Sequence, residues 1–245
     1  MIPKLYKYLP PKRISYLKDQ LLRGTQPNAL NDPFEFQPSF TEEMLDQAKK
    51  NLGKDDVSID FNEFAHEYLS KGGELINNEL GIVSLSRNKS NIMMWSHYCR
   101  GHSGFCVGFD FSTDFPLEQR NDLDKLFRKV EYKSERVNAP ISPNDKVPIE
   151  LTHRKSVQWE YEEETRLIFD LKKANKIITK EHEKLCFFEI SHEFISDITI
   201  GINADSRTKN EIVDFCKLNN IDCYLSTIHP SKYELDFKME FQSIK

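Results

Sequence analysis

Residues 81–110 read GIVSLSRNKSNIMMWSHYCRGHSGFCVGFD, a strand, a short helix and a second strand in succession. Gly81 to Ser86 alternates apolar and small polar side chains and reads as a strand. Asn91 to Tyr98 reads as a short helix, and Gly104 to Asp110 as a second, mostly apolar strand. Upstream, Leu5 to Tyr8 is a short aromatic strand stopped by Pro10-Pro11, and Ile14 to Arg23 is a short helix closed by Gly24. A polar loop ends in Asn31-Asp32-Pro33-Phe34-Glu35, where Pro33 biases Asp32 toward extended backbone and fixes a turn. Two charged helices follow, one capped by Thr41 with Met44, Leu45 and Ala48 on one face, the other from about Asp60 to Leu80. They read as a helical insertion at about 41–80.

Downstream, Leu126 to Tyr132 is a further strand, and residues 134–148 form a loop with three prolines. Trp159 to Asp170 becomes a strand in its second half. Leu185 to Ile190 and Ile195 to Ile200 are strands, Asp205 caps a helix from Thr208 to Leu218, and Cys223 to Ile228 and Tyr233 to Phe241 are strands. This order gives an α+β fold with a mixed or antiparallel sheet core, in a single domain over residues 1–245.

Composition narrows the function. The 245 residues carry 34 Lys+Arg against 39 Asp+Glu, a formal charge of -5, which exerts no general pull on nucleic acid or anionic membrane. Nine glycines are few, and no GxGxxG or GxxxxGK[ST] string is present, which argues against a glycine-rich phosphate cradle. Five cysteines without a CxxC pair argue against a disulfide framework or zinc ribbon. The histidines include no HExxH, and no metal is expected. No stretch approaches the ~20 apolar residues of a membrane span. The expectation is a cytoplasmic protein.

Three constellations can carry chemistry. In Trp159-Glu160-Tyr161-Glu162-Glu163-Glu164-Thr165-Arg166, strand alternation puts Glu162, Glu164 and Arg166 on one face. Paired carboxylates suit a reaction that builds positive charge at a ribose carbon, one steadying the charge and the other orienting the acceptor. Equally, they can form a solvated edge with a structural Glu–Arg pair. In the second, Ser84 and Ser86 share a strand face, and Trp95 and Tyr98 lie one helical turn apart, able to stack on a flat ring. His97 can serve as acid or base, or simply be a structural histidine. The third, Asn31 to Glu35, can rim a pocket or make a rigid turn. Asp110 with Glu131-Tyr132-Lys133 carries, weakly, the residue types of a metal-dependent nuclease.

Taken together, Leu5-Tyr6-Lys7-Tyr8, Asn31-Asp32-Pro33-Phe34-Glu35, Ser84-Leu85-Ser86, Met94-Trp95-Ser96-His97-Tyr98, Gly104 to Asp110 and Trp159 to Arg166 resemble the bacterial domain-of-unknown-function 2971 (DUF2971) family. A bulky aromatic is usual just before Arg166 in that family, and this chain has Thr165. More loosely, the order of an aromatic strand, a Ser-x-Ser strand and a Glu-x-Glu strand is similar to the split-sheet ADP-ribosyltransferases. That resemblance implies NAD as substrate, Glu164 as the catalytic acid and Glu162 as its partner. It implies that Ser84 and Ser86 line the pocket, that Tyr6 or Tyr8 stands at the first-strand position, and that Tyr98 stacks on the nicotinamide. The first strand lacks the His or Arg expected there, and Lys7 is the available substitute.

The expected function is an intracellular NAD-consuming transferase or glycohydrolase, with a toxin or phage-defence role as the resemblance implies. Its catalytic residues would be Glu164, Glu162 and His97, and Tyr6, Tyr8, Ser84, Ser86, Trp95, Tyr98 and Arg166 would bind the nucleotide. The acceptor, whether protein, nucleic acid or water, and any regulatory partner protein stay open. The alternatives are a non-catalytic nucleotide- or partner-binding module and a nuclease using Asp110 and Glu131.

Overall fold

The computed structural model describes residues 4–51, 76–112, 127–139, 148–180 and 183–244. In chain order its regular elements begin with β1 (Leu5–Leu9), α1 (Tyr16–Asp19), β2 (Leu21–Gly24), α2 (Glu42–Asn51), β3 (Leu80–Ser86), α3 (Ile92–Tyr98) and β4 (Phe105–Phe109). Then come β5 (Phe127–Lys129), β6 (Glu131–Lys133), β7 (Arg154–Ser156), β8 (Glu164–Asp170), β9 (Lys176–Lys180) and β10 (Glu183–Glu189). The C-terminal part holds β11 (Ile195–Ile200), α4 (Ser206–Asn219), β12 (Asp222–Ile228) and β13 (Leu235–Phe241).

Eight strands form one mixed sheet in the order β13-β12-β11-β4-β1-β3-β8-β5. β11 and β12 run parallel across the α4 connection, and the other pairs are antiparallel. Smaller sheets are β2-β10-β9 and β6-β7. The fold is α+β with a mixed sheet, as the order of elements predicts.

Period-two alternation gives the large sheet two different faces. One carries Leu5, Leu9, Val83, Leu85, Val107, Phe109, Leu167 and Ile198, all buried, and is closed by Tyr16 and Leu17 of α1 and Ile212 and Cys216 of α4. Each such aliphatic or aromatic side chain contributes roughly 1.5–3 kcal/mol by leaving water. The other face carries Tyr6, Tyr8, Ser86, Cys106, Glu164 and Arg166, with Met94 and Trp95 of α3 packed against Tyr8 and Cys106. Polar residues on an interior face are the first sign of a site.

The two central strands of that face barely pair. β1 and β3 are in register at one position, Tyr6 opposite Ser86. Beyond it the strands part, and the Lys7 ammonium donates to the Ser84 carbonyl at 2.7 Å where a backbone ladder would otherwise continue. The sheet is therefore opened between β1 and β3.

Several local expectations change. The predicted helix over 14–23 is a 3-10 turn at Pro11–Ser15 and one α turn, ended by Gln20 in the left-handed region (φ 57°). Residues 21–24 extend instead because β10 pairs with them and buries Leu22. The predicted strand over 126–132 is two strands, since the chain leaves the large sheet at buried Val130 and β6 pairs with β7. Strands β2, β7 and β9 were not expected. The Thr41 cap forms, its hydroxyl accepting from the Met44 amide at 3.3 Å. Most of the second expected insertion helix, and residues 140–147 of the proline loop, lie outside the described residues. Asp205 caps α4 as expected, accepting from the Thr208 amide at 2.7 Å. The five cysteines are free and buried. Among the described residues no helix is long and apolar enough to cross a membrane.

Candidate active site

Residues of β1 and β3 around their single paired position line a cavity of about 230 Å3. Its wall includes Tyr6, Lys7 and Tyr8 of β1, Ser84 and Ser86 of β3, Tyr98 of α3, and Glu162 and Glu164. Glu35, Asn31 and Lys155 complete the polar part. The predicted acidic, serine and aromatic segments thus meet at one hollow.

The acidic motif reaches it by a different geometry from the one alternation implies. Residues Val157–Glu162 form a 3-10 turn, so Glu162 is not on the strand. Glu163 then adopts φ 45°, in the left-handed region, and β8 begins at Glu164. This kink lets Glu162 and Glu164 both line the cavity, while the Glu163 side chain turns away to accept from Asn88 Nδ2 at 2.9 Å.

Three carboxylates and two cations form a closed network. Lys155 lies 2.6 Å from Glu162 Oε2, 3.4 Å from Glu164 Oε2 and 3.1 Å from Glu35 Oε1. The last approach is an ion pair without hydrogen-bond geometry, and Glu35 Oε1 is left with no hydrogen-bond donor. Arg166 donates from Nε to Glu164 Oε1 at 2.9 Å, from Nη1 to the Thr152 carbonyl at 3.0 Å, and from Nη2 to Glu35 and Glu164. Tyr98 donates to Glu162 Oε1 at 2.5 Å and accepts from Asn31 Nδ2 at 2.5 Å. All five ionised side chains of this network are buried.

Burial in such a place opposes every charge, so the neighbours decide the outcome. Burial pushes the Glu164 carboxyl up, but Arg166 and Lys155 pull it down to about 2. For Glu35, burial outweighs the same two cations and its pKa is raised. Burial lowers Lys155, yet Glu164, Glu35 and Glu162 more than reverse this and leave it a firm cation. Lys7 is lowered to about 8, chiefly by burial, with Glu164 opposing and Arg13 assisting. Two carboxyls pushed in opposite directions within one hollow are the arrangement from which acid and base roles are made.

Other predicted site residues sit elsewhere or line the cavity with their polar groups engaged by the protein. Trp95 is wholly buried behind the wall, its indole donating to the Lys89 carbonyl at 2.8 Å and its ring meeting Tyr8 edge-on. It anchors α3 and does not face the cavity. His97 is exposed and bonds through Nδ1 to the Tyr161 hydroxyl at 3.2 Å. Arg166 lies beneath the cavity with its guanidinium engaged by protein groups, so it positions Glu164 and Glu35 instead of binding a ligand directly. The Ser86 hydroxyl is tied into a turn with Asn88, whereas Ser84 helps hold the Glu164 charge. Asp110 holds Ser112 at the end of β4, and Glu131 pairs with Arg154 at 3.7 Å. Among the described residues no group of three or more His, Cys, Asp or Glu is placed to hold a metal.

Residues 94–167 match the family model described as protein of unknown function, DUF2971. The resemblance read from the sequence holds over this segment. No curated protein and no solved structure matches the chain. The matched segment runs from α3 into β8 and holds Tyr98, Lys155, Glu162 and Glu164 of the cavity wall, with Arg166 beneath it. Lys7, Glu35 and Ser84 come from outside it.

Lys155 was not singled out by sequence reasoning, and Glu35 was read only as part of the Asn31–Glu35 turn that can rim a pocket. Lys155 stands on a three-residue strand inside a polar stretch, with no periodicity to mark it as buried. Glu35 ends the Asn31–Glu35 turn, and the signal for it was that turn's concentration of polar groups around Pro33.

Proposed function

We propose that this chain is an NAD-consuming enzyme, an ADP-ribosyltransferase or NAD glycohydrolase, that works at the opening between β1 and β3. One observation carries the reading: Ser84, Tyr98 and a strongly ionised Glu164, from three separate elements, share one cavity with the first strand. The parted β1–β3 pair also accords with a split sheet.

The reaction breaks the bond between the ribose C1′ and the nicotinamide nitrogen. The electron pair leaves with nicotinamide, and positive charge develops on the ribose. A carboxylate fixed in a buried site stabilises that charge without having to reorganise. Glu164 is held in place by Arg166 Nε and Nη2. Glu162, held by Lys155 and Tyr98, is the group to orient the acceptor whose nucleophile closes on C1′. Glu35, its carboxyl raised, is the group to take up the proton the acceptor releases. Toxin or defence activity would follow from NAD depletion or from modification of a cellular target.

A second reading rests on the balance of the network. Lys155 and Arg166 already neutralise much of the carboxylate charge, as suits a ligand-binding module without turnover. Incubation of the purified chain with NAD separates the two. Nicotinamide release or transfer of labelled ADP-ribose, reduced at least a hundredfold in Glu164→Gln, supports the enzyme. Saturable binding of NAD with neither product supports the module and ends the enzymatic proposal.

A further inference from the structure

A second hollow has a volume of about 430 Å3. Lys155 lines both. Its ammonium meets Glu162, Glu35 and Glu164, and it lies 4.8 Å from the centre of the Trp159 ring. The smaller cavity falls below the ~300–1,000 Å3 of ordinary ligand sites, whereas the larger one lies within that range.

The larger hollow has the makings of a nucleotide seat. Phe34, 62% exposed, and Trp159 supply flat apolar faces. An exposed phenylalanine held on a rigid Asn-Asp-Pro turn has no core to fill, and such a ring is suited to stacking on a base. Asp32 lines the hollow and is only 4% exposed. One of its oxygens accepts from the Phe34 amide at 2.9 Å, and the other, Oδ2, is buried with no hydrogen-bond partner. Arg154 also lines it, and its buried Nε is likewise unmatched. A buried acceptor and a buried donor left open at one hollow call for a ligand that carries both kinds of group. On the rim, Lys133 and Arg136 add two exposed positive charges against the one carboxylate of Glu135.

We propose that this hollow binds the adenosine monophosphate half of a dinucleotide. The base lies against Phe34 and Trp159, and its amine donates to Asp32. The phosphate is drawn to Arg154, Lys133 and Arg136. That the other half is nicotinamide mononucleotide, with its nicotinamide ribose in the acidic cavity, rests on the proposed NAD reading. Lys155, as the shared wall, carries the charge balance between the two halves.

The test titrates the full chain with AMP and with ribose 5-phosphate, following tryptophan fluorescence and heat. AMP should bind saturably. Ribose 5-phosphate, lacking the base, should bind at least tenfold more weakly. Trp159→Leu and the rim double variant Lys133→Glu/Arg136→Glu should each weaken AMP at least tenfold, and the exposed rim changes guard against loss through misfolding. Absence of AMP binding at millimolar concentration, equal affinity for ribose 5-phosphate, or unchanged AMP affinity in either variant overturns the assignment. NAD turnover is scored separately. AMP binding with these losses but without nicotinamide release leaves the nucleotide seat standing and removes the NAD reading. Nicotinamide release with an unchanged KM in both variants does the reverse.

Discussion

Arg166 is wholly buried, and it touches two carboxylates and a backbone carbonyl. Removing a partner from such a pair strands the other charge in a medium that cannot solvate it. Arg166→Met should therefore cost about 3–5 kcal/mol, read as a lowered urea midpoint with little change in slope. Acid unfolding reports the same network. The Glu164 carboxyl titrates near 4.5 when unfolded and near 2 when folded. Between those values the unfolded chain binds more protons, so the contribution is complete above pH 4.5 and lost as pH falls toward 2. It amounts to roughly 3 kcal/mol, and the raised Glu35 offsets part of it. Circular dichroism between pH 2 and 5 should show a shallower acid transition for Glu164→Gln than for the parent chain. The pairing of Glu164 with Arg166 was legible from their two-residue spacing. The part of Lys155 was not, because a lysine in a polar stretch looks like a solvated one until the fold encloses it.

At the scale of elements, the long strands and α4 were legible because period and caps agree in them. Short strands such as β7 and the exposed β9 exist through pairing alone, and pairing leaves no local pattern to read. The acidic motif mixes both cases. Its strand half follows alternation, and its first half is a 3-10 turn joined through Glu163 at φ 45°. The left-handed conformation disfavours a side chain with a Cβ, and a β-branched one most of all. Glu163→Val should destabilise the protein by about 1–2 kcal/mol and pull Glu162 away from Lys155. Glu163→Gly should stay within about 1 kcal/mol of the parent, since relief at the backbone offsets loss of the Asn88 hydrogen bond. Thermal melting of the two variants side by side checks the order. A valine as stable as the glycine would remove the kink from the account of the site.

For the molecule as a whole, the decisive feature is that its largest sheet is joined between β1 and β3 by a single residue pair, Tyr6 opposite Ser86. The face closed by α1 and α4 is apolar and holds the sheet together, while the opposite face opens between β1 and β3. Lys7 bridges the gap, its ammonium satisfying a carbonyl that a neighbouring strand would otherwise satisfy. A lysine so placed titrates near 8 instead of 10.5. Between these values the unfolded chain binds more protons than the folded one, so this residue makes stability rise with pH across that window. The full rise is roughly 3 kcal/mol, an upper bound because the side chain keeps some contact with solvent. Lys7→Met removes the titration and also leaves the Ser84 carbonyl without its donor. The variant should be less stable than the parent above pH 8, and its urea midpoint should lose the upward slope between pH 8 and 10 that the parent shows. If the opening is also the mouth of the catalytic cavity, nicotinamide release by the parent should change across the same pH range and that change should disappear in Lys7→Met. Parallel slopes for the two proteins, in stability and in turnover alike, would mean that Lys7 does not titrate in the opening and that the sheet is held apart by something else.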